Sequence, residues 1–418
     1  MNMTKKLIYI LIAVITMIGF CSVSVFGETD ADAQSDAAVT NPAYSDKAYT
    51  AVMDAFNAYD ARSETAPGLD VSAAILMDAG SGRVLYELCP DELRYPASMT
   101  KLMTLLVTLD AIDAGQVSYD DVVTFSEAAV AEDGSKTGCP AGTTDTLKHV
   151  LEMMMVCSAN DAAYVVAETV GGDVATFAAL MNAKAKALGM EHTNYVNPNG
   201  LHAENHYMTA RDMATLCRNC INNETVMYFC SLASTTLPTG TVCYNTNKLL
   251  FWYEGCDGFK TGTTEAAGHC LATTAERDGM RLIAVVMGGT YDYSHYINGM
   301  KLLEYGFANY TLTTLVEKGS VLAKADVVYG KEDTVGLIAE SDILYPVKSG
   351  ETVTPEIVTD IAESIEGPAK AGLDGGNVVV KIDGKEVGSC DLVTETMIHK
   401  RTVFHWLKDF FSALVSSV

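Results

Sequence analysis

Three short runs in this chain of 418 residues could do chemistry: Ser98-Met99-Thr100-Lys101, Ser158-Ala159-Asn160 and Lys260-Thr261-Gly262. A hydroxyl three residues before an amine, at the start of a helix, lies on the same face within hydrogen-bond reach. Serine is a poor nucleophile at neutral pH, and a desolvated lysine beside it can act as the base that activates it. The second and third runs each add a hydroxyl or an amine and a hydrogen-bond donor. Alone each run is a weak signal; the three in this order, in suitable local contexts, are a specific one. A metal centre has less support. His202-Ala203-Glu204-Asn205-His206 matches neither zinc-protease spacing and follows a Pro/Gly loop, so no metal and no cofactor are expected.

These groups need elements to hold them. Residues 73–77 and 84–88 read as strands around Asp78-Ala79-Gly80-Ser81-Gly82, a hairpin signal. Pro96 precedes a helix expected over 98–114, which sets Ser98 at a positive helix end whose free N–H groups favour a developing oxyanion. Residues 147–188 are helical in period, interrupted at 158–160 and at Gly171-Gly172, and Met153, Met154 and Met155 read as core packing. Residues 270–274 and 282–287 form two strands around Asp278-Gly279, and a helix is expected over 293–305. Strands at both ends with helices inserted between predict one α+β domain over residues 67–312. Residues 313–395 alternate strand-like runs with glycines, which predicts a separate small β domain with Asp383-Gly384 as a two-residue hairpin turn.

The flanks carry an address. Lys5 and Lys6 precede the apolar residues 7–20, and Val25 and Gly27 suit a cleavage site, so residues 1–27 read as a signal peptide and the protein as exported. Residues 28–66 form an acidic low-complexity linker, with helical period over 47–60. At the other end, within 396–418, Val403, Phe404, Leu407, Phe410, Phe411, Leu414 and Val418 share one helical face beside a basic start, Lys400-Arg401. This reads as an amphipathic helix on a membrane surface. Losing residues 1–27 takes the formal net charge from −25 to −27. Such acidity excludes the basic footprint that nucleic-acid binding requires. The eleven cysteines leave disulfides, a metal pair or reduced core thiols open, the last being favoured.

With these elements placed, the chain resembles the low-molecular-weight penicillin-binding proteins that are serine D-alanyl-D-alanine carboxypeptidases, over residues 67–395. Asn197-Pro198-Asn199-Gly200-Leu201, His206 and Thr209-Ala210-Arg211-Asp212 also resemble a loop of that family. The resemblance implies a β-lactamase/transpeptidase-like fold, an antiparallel sheet with a helical insertion. It implies Ser98 as nucleophile, Lys101 as its base, Ser158 and Lys260 as a proton relay to the departing D-alanine, and Asn160 as a holder of the substrate amide. The N–H groups of Ser98 and Thr263 would form the oxyanion hole. Lys260, Thr261, Gly262 and Thr263 would bind the substrate's terminal carboxylate. The implied partners are the peptidoglycan pentapeptide, β-lactam antibiotics and the outer face of the cytoplasmic membrane. One departure stands out: relatives often place an arginine after the strand carrying Met287-Gly288-Gly289, whereas this chain has none over 290–300 and offers His295 near that position. The competing readings are a class A-like β-lactamase, for which Glu204 is the nearby acid, and a non-catalytic wall-binding or antibiotic-sensing protein.

Overall fold

The computed structural model describes residues 46–62, 66–403 and 407. The residues read as a signal peptide, most of those read as an acidic linker and most of the C-terminal amphipathic stretch lie outside them. Helix α1, Asp46–Asn57, forms a unit by itself.

From residue 58 onward the organising element is a five-stranded antiparallel sheet in the order β2-β1-β9-β8-β7. Its strands are β1 (Ala73–Asp78), β2 (Val84–Leu88), β7 (Cys256–Thr264), β8 (Gly268–Arg277) and β9 (Met280–Gly289). The intervening short strands pair as β3 (Val122–Thr124) with β4 (Thr144–Thr146), and β5 (Ser234–Thr236) with β6 (Val242–Tyr244). Every residue of β1 is buried, so both faces of the sheet are covered. Alternation assigns the faces. Ile75, Met77, Ile283 and Val285 join the core shared with the inserted helices, while Leu76, Leu282 and Leu271 point at the C-terminal helix of the domain, Ser294–Asn309, near Gly306 and Gly299.

The insertion between β2 and β7 holds α2 (Lys101–Asp113), α3 (Leu147–Val156), α4 (Asn160–Gly171), α5 (Val174–Ala187), α6 (Ala210–Ile221) and α7 (Glu224–Ser231). The helix closing the sheet's other face, Ser294–Asn309, is then α8. Ten of the thirteen residues of α2 are buried, as expected of a helix apolar on all sides. This decides the chemistry, because Lys101 is its first residue and is carried into the core with it.

The helix expected from Ser98 begins instead as a tight 3₁₀ turn, Ala97–Thr100, and becomes α-helical only at Lys101. Ala97 sits at φ 48°, which turns the chain sharply and closes Met99 N–H onto the Pro96 carbonyl at 3.2 Å.

The C-terminal part is all β: a ribbon of β10 (Tyr310–Val316) with β13 (Ile343–Lys348), and a six-stranded sheet ordered β14-β16-β17-β12-β11-β15. The sheet's strands are β11 (Val321–Val328), β12 (Thr334–Ala339), β14 (Glu356–Ile361), β15 (Ser364–Glu366), β16 (Asp374–Ile382) and β17 (Lys385–Thr394). Asp383 (φ 52°) and Gly384 (φ 75°) join β16 to β17 with left-handed φ at both turn residues, the conformation an Asp-Gly hairpin needs. Arg83 ties the two parts together: it donates to the Pro346 carbonyl and to Glu351, and lies over the rings of Tyr310 and Tyr345. The β part runs past the residue 395 limit expected from sequence. Ile398 is buried in its core and bridges Ala369, while Lys400 bridges Gly330.

Candidate active site

The three runs converge where the Ala97–Thr100 turn meets the edge strand β7 and the start of α4. Gly262 fits this close approach, since a Cβ there would lie 2.6 Å from the Pro96 carbonyl oxygen and 3.0 Å from Ser98 N. Gly200 is tighter still: at φ 83° it lies against the same turn, and a Cβ would fall 1.8 Å from the Ala97 carbonyl oxygen. The turn carrying Ser98 is therefore gripped from two sides by backbone that no larger residue could replace.

Lys101 Nζ has three polar neighbours: Ser98 Oγ at 2.8 Å, Asn160 Oδ1 at 2.6 Å and the Asn199 carbonyl at 2.8 Å. The Asn160 amide is oriented by its own Nδ2, which donates to the Asp133 carbonyl at 2.6 Å, so that only its oxygen faces the amine. The Asn199 side chain is held in turn by Glu132, at 2.6 Å. Burial, followed by the charge of Lys260, pushes the Lys101 amine far below its ordinary range. A neutral amine has two N–H donors and one lone pair. Asn160 Oδ1 and the Asn199 carbonyl can only accept, so they take both N–H groups and the lone pair is left facing the Ser98 hydroxyl.

Ser158 stands at φ 57°, a left-handed conformation that a non-glycine residue keeps only where its surroundings impose it. It is buried at the junction of α3 and α4. The loop before it is closed over the site by Asp161, which accepts from Thr137 N–H and Oγ1, and by Asn160 N–H, which donates to Ser135 O at 2.7 Å. Lys260 is 1% exposed, and burial brings its amine down to about 7. It donates to Thr246 Oγ1 at 3.3 Å and to the Thr261 carbonyl at 3.2 Å, and Thr261 Oγ1 donates to the same Thr246 hydroxyl at 2.8 Å.

A cavity of about 350 Å³ opens among these groups, lined by Ser98, Ser158, Thr261, Gly262, Thr263 and His295. A larger cleft of about 670 Å³, between Asp78, Arg218 and Leu344, contains no residue of the three runs. The wall at Thr263 is aromatic and basic. Thr263 Oγ1 lies 3.3 Å from His269 Nδ1, the His269 ring stacks on that of His295, and Asp292 Oδ1 is 3.6 Å from His269 Nε2. His295 is buried, and its ring is held down to about 3 by that burial and by the neighbouring His269 and Lys248. It is therefore neutral near pH 7 and gives the cavity no positive charge.

The structure thus gathers Ser98, Lys101, Ser158, Asn160, Lys260, Thr261, Gly262, Thr263 and His295 at one place. Sequence reasoning missed the Asn199 carbonyl, which orients Lys101, and Thr246, which links Lys260 to Thr261. It also missed His269 beside Thr263. Asn199-Gly200 was visible as part of a loop, but a carbonyl has no signature in side-chain type. Glu204, the acid of the β-lactamase reading, is exposed, whereas Glu132 is tied to Asn199.

The chain is similar to known proteins along most of its length. The family model described as D-alanyl-D-alanine carboxypeptidase matches residues 60–290, and that of the penicillin-binding protein 5 C-terminal domain matches residues 310–400. The chain is 32% identical over 360 residues to the D-alanyl-D-alanine carboxypeptidase DacF of Bacillus subtilis, covering 85% of this chain and 92% of that protein. Penicillin binding protein 5 from Haemophilus influenzae superposes with a TM-score of 0.65 at 31% identity, over 80% of this chain and 99% of that one. Penicillin-binding protein D2 from Listeria monocytogenes, solved in an ampicillin-bound form, gives 0.52 at 30% identity, over 58% of this chain and all (100%) of that one.

Proposed function

This chain belongs to the D-alanyl-D-alanine carboxypeptidase family, and we propose that it removes the terminal D-alanine from peptidoglycan stem peptides through an acyl-enzyme on Ser98. The observation that carries the reading is the buried Lys101 amine, 2.8 Å from Ser98 Oγ, with Asn160 Oδ1 and the Asn199 carbonyl placed to take its N–H groups. As Ser98 attacks the carbonyl between the two D-alanines, its proton passes to Lys101. Collapse of the tetrahedral intermediate expels the D-alanine amine, which takes a proton through Ser158 and Lys260. An amine near 7 can give and regain a proton at neutral pH, which suits Lys260 to that relay. The Thr261 and Thr263 hydroxyls, beside Lys260, hold the substrate carboxylate, with His295 as a neutral wall. The N–H groups of Ser98 and Thr263 stabilise the oxyanion. Water then hydrolyses the ester. A β-lactam carries an amide and a carboxylate in comparable positions and acylates the same serine.

Export rests on residues 1–27, and attachment to the outer face of the cytoplasmic membrane rests on the amphipathic pattern after Lys400. The test is release of D-alanine from diacetyl-Lys-D-Ala-D-Ala by the mature protein, with Ser98→Ala as control. Rapid turnover of penicillin without D-alanine release would replace this reading with the β-lactamase one.

A further inference from the structure

His269 and Asp292 stand in the cavity wall beside Thr263, and no step described for Ser98 uses either of them. Thr263 of β7 and His269 of β8 are direct cross-strand partners close to the turn that joins the two strands, so both side chains stand on one face of the sheet. Thr263 Oγ1 lies 3.3 Å from His269 Nδ1, and on the other side of the ring Nε2 lies 3.6 Å from Asp292 Oδ1. The ring stacks on that of His295, which holds its plane. Thr263, His269, Asp292 and His295 all line the cavity that contains Ser98. His269 is half-buried there, whereas His295 is buried and neutral near pH 7.

We propose that His269 sets specificity for a free C-terminal carboxylate: in its cationic form it turns the Thr263 hydroxyl toward the substrate. This rests on the carboxylate-binding role given to Thr263 above. A carboxylate can only accept, so the nitrogen that faces Asp292, Nε2, keeps a hydrogen. Nδ1 then has two states. Without a proton its lone pair accepts the Thr263 O–H, and the hydroxyl shows the substrate only lone pairs. With a proton taken from solvent, Nδ1–H donates to Thr263 Oγ1, and the freed O–H donates to the carboxylate. The cation also puts a positive charge in this wall, which the neutral His295 does not supply. A carboxylate therefore binds the cationic form better, while an amide end carries no charge to be matched.

The charges around the ring come from each neighbouring element. Lys260 precedes Thr263 by three residues on β7, and Glu265 is exposed in the turn between β7 and β8. Asp292 follows β9 and is exposed, so its ion pair with the ring is weak, and His295 lies in the first turn of α8. Lys248 reaches the same corner, since its charge and that of His269 both help to keep His295 neutral. Lys260 loses its charge at about pH 7, and histidine ordinarily changes charge close to that. Both supports for the carboxylate therefore weaken as pH rises, and only a substitution separates them.

The experiment compares diacetyl-Lys-D-Ala-D-Ala with the same peptide ending in a carboxamide, from about pH 5.5 to about pH 8.5. Lys101 and Ser158 serve both substrates alike, so they cancel in the ratio of the two kcat/KM values. Wild type should prefer the carboxylate most at low pH and less as pH rises. His269→Phe keeps an aromatic ring on His295 but holds no proton. Its preference at low pH should be about tenfold smaller, with the loss falling on KM more than on kcat, and the pH response it retains is that of Lys260. A second readout needs no catalysis. In Ser98→Ala protein the NMR titration of the His269 ring, identified by its absence after His269→Phe, should move to higher pH with the acid peptide and stay in place with the amide. A His269→Phe enzyme with the wild-type preference at every pH overturns the proposal, as does a His269 ring whose titration ignores the acid peptide. A wild type that releases no D-alanine from the acid peptide removes the function itself, which is a separate failure.

Discussion

Lys260 stands close enough to Lys101 for its charge to push the Lys101 amine below where burial alone would leave it. The coupling exists only while Lys260 is charged, which is below about pH 7. Lys101 serves as a base only when deprotonated, so acylation has an acid limb set by its ionisation. Replacing Lys260 by glutamine removes the repelling charge, raises the Lys101 pKa and moves that limb to higher pH. The position of the limb in a pH profile of penicillin acylation is the readout, whatever happens to the maximal rate. A limb that stays put, or moves to lower pH, refutes the coupling.

Lys101→Arg keeps a cation and loses the base. Guanidinium does not deprotonate in proteins and has no lone pair to turn toward Ser98. Acylation by labelled penicillin should fall by about a thousandfold or more. Lys260→Arg, read in the same assay, should keep part of the activity if Lys260 acts chiefly through charge.

The glycines around the nucleophile turn separate backbone conformation from packing. Gly115 and Gly200 both have left-handed φ, 69° and 83°, but a Cβ on Gly115 meets nothing within 4 Å, while on Gly200 it overlaps the Ala97 carbonyl. Gly115→Ala should cost about 1 kcal/mol in chemical denaturation, and Gly200→Ala about 3 kcal/mol or more, with loss of acylation. Equal costs would mean that the turn yields easily and that the grip on Ser98 is weak.

Much of this was legible because local and tertiary demands agree. Ser98 and Lys101 lie three apart at the start of a largely apolar helical run, so the burial that depresses the lysine is visible in the sequence. Asp383-Gly384 sets its hairpin by turn chemistry alone. Other strands left no such mark. β13 contains Pro346, which argues against a strand, yet it pairs only with β10, where the missing N–H costs little. β14 has five exposed residues and no alternation to detect. Asn199 acts through its carbonyl and Thr246 through a contact fourteen residues from Lys260, and neither is written in residue spacing. The left-handed backbone at Ala97 is likewise a demand of packing.

The amphipathic stretch after Lys400 predicts reversible membrane attachment. Among its described residues, Val403 and Leu407 are exposed. Lys408 and Asp409 interrupt any apolar span, so the segment should lie in the interface. Because Ile398 belongs to the β core, the informative truncation ends after Lys400. That protein should fail to sediment with anionic vesicles while its D-alanine release is unchanged, and Leu407→Glu with Phe411→Glu should behave alike. Equal partitioning of full-length and truncated chains would refute the anchor.

His206 makes the folded state sensitive to acid. Val196 N–H donates to its Nδ1 at 3.3 Å, so the proton resides on Nε2, which donates to Thr100 Oγ1 at 2.9 Å, between Ser98 and Lys101 in sequence. Burial lowers its pKa from 6.5 to about 4. Between these values the unfolded chain holds a proton that the folded one lacks, so stability is lost as pH falls from about 6.5 toward 4. The full loss is on the order of 3 kcal/mol at about 1.4 kcal/mol per pH unit, and His295, buried and neutral in the same way, adds to it. Denaturant midpoints measured from pH 7.5 to 4.5 should therefore fall. His206→Gln can still accept from Val196 N–H and donate to Thr100 but takes up no proton, so its midpoint should fall less. A variant whose midpoint falls as steeply as the wild type's would place the acid sensitivity elsewhere.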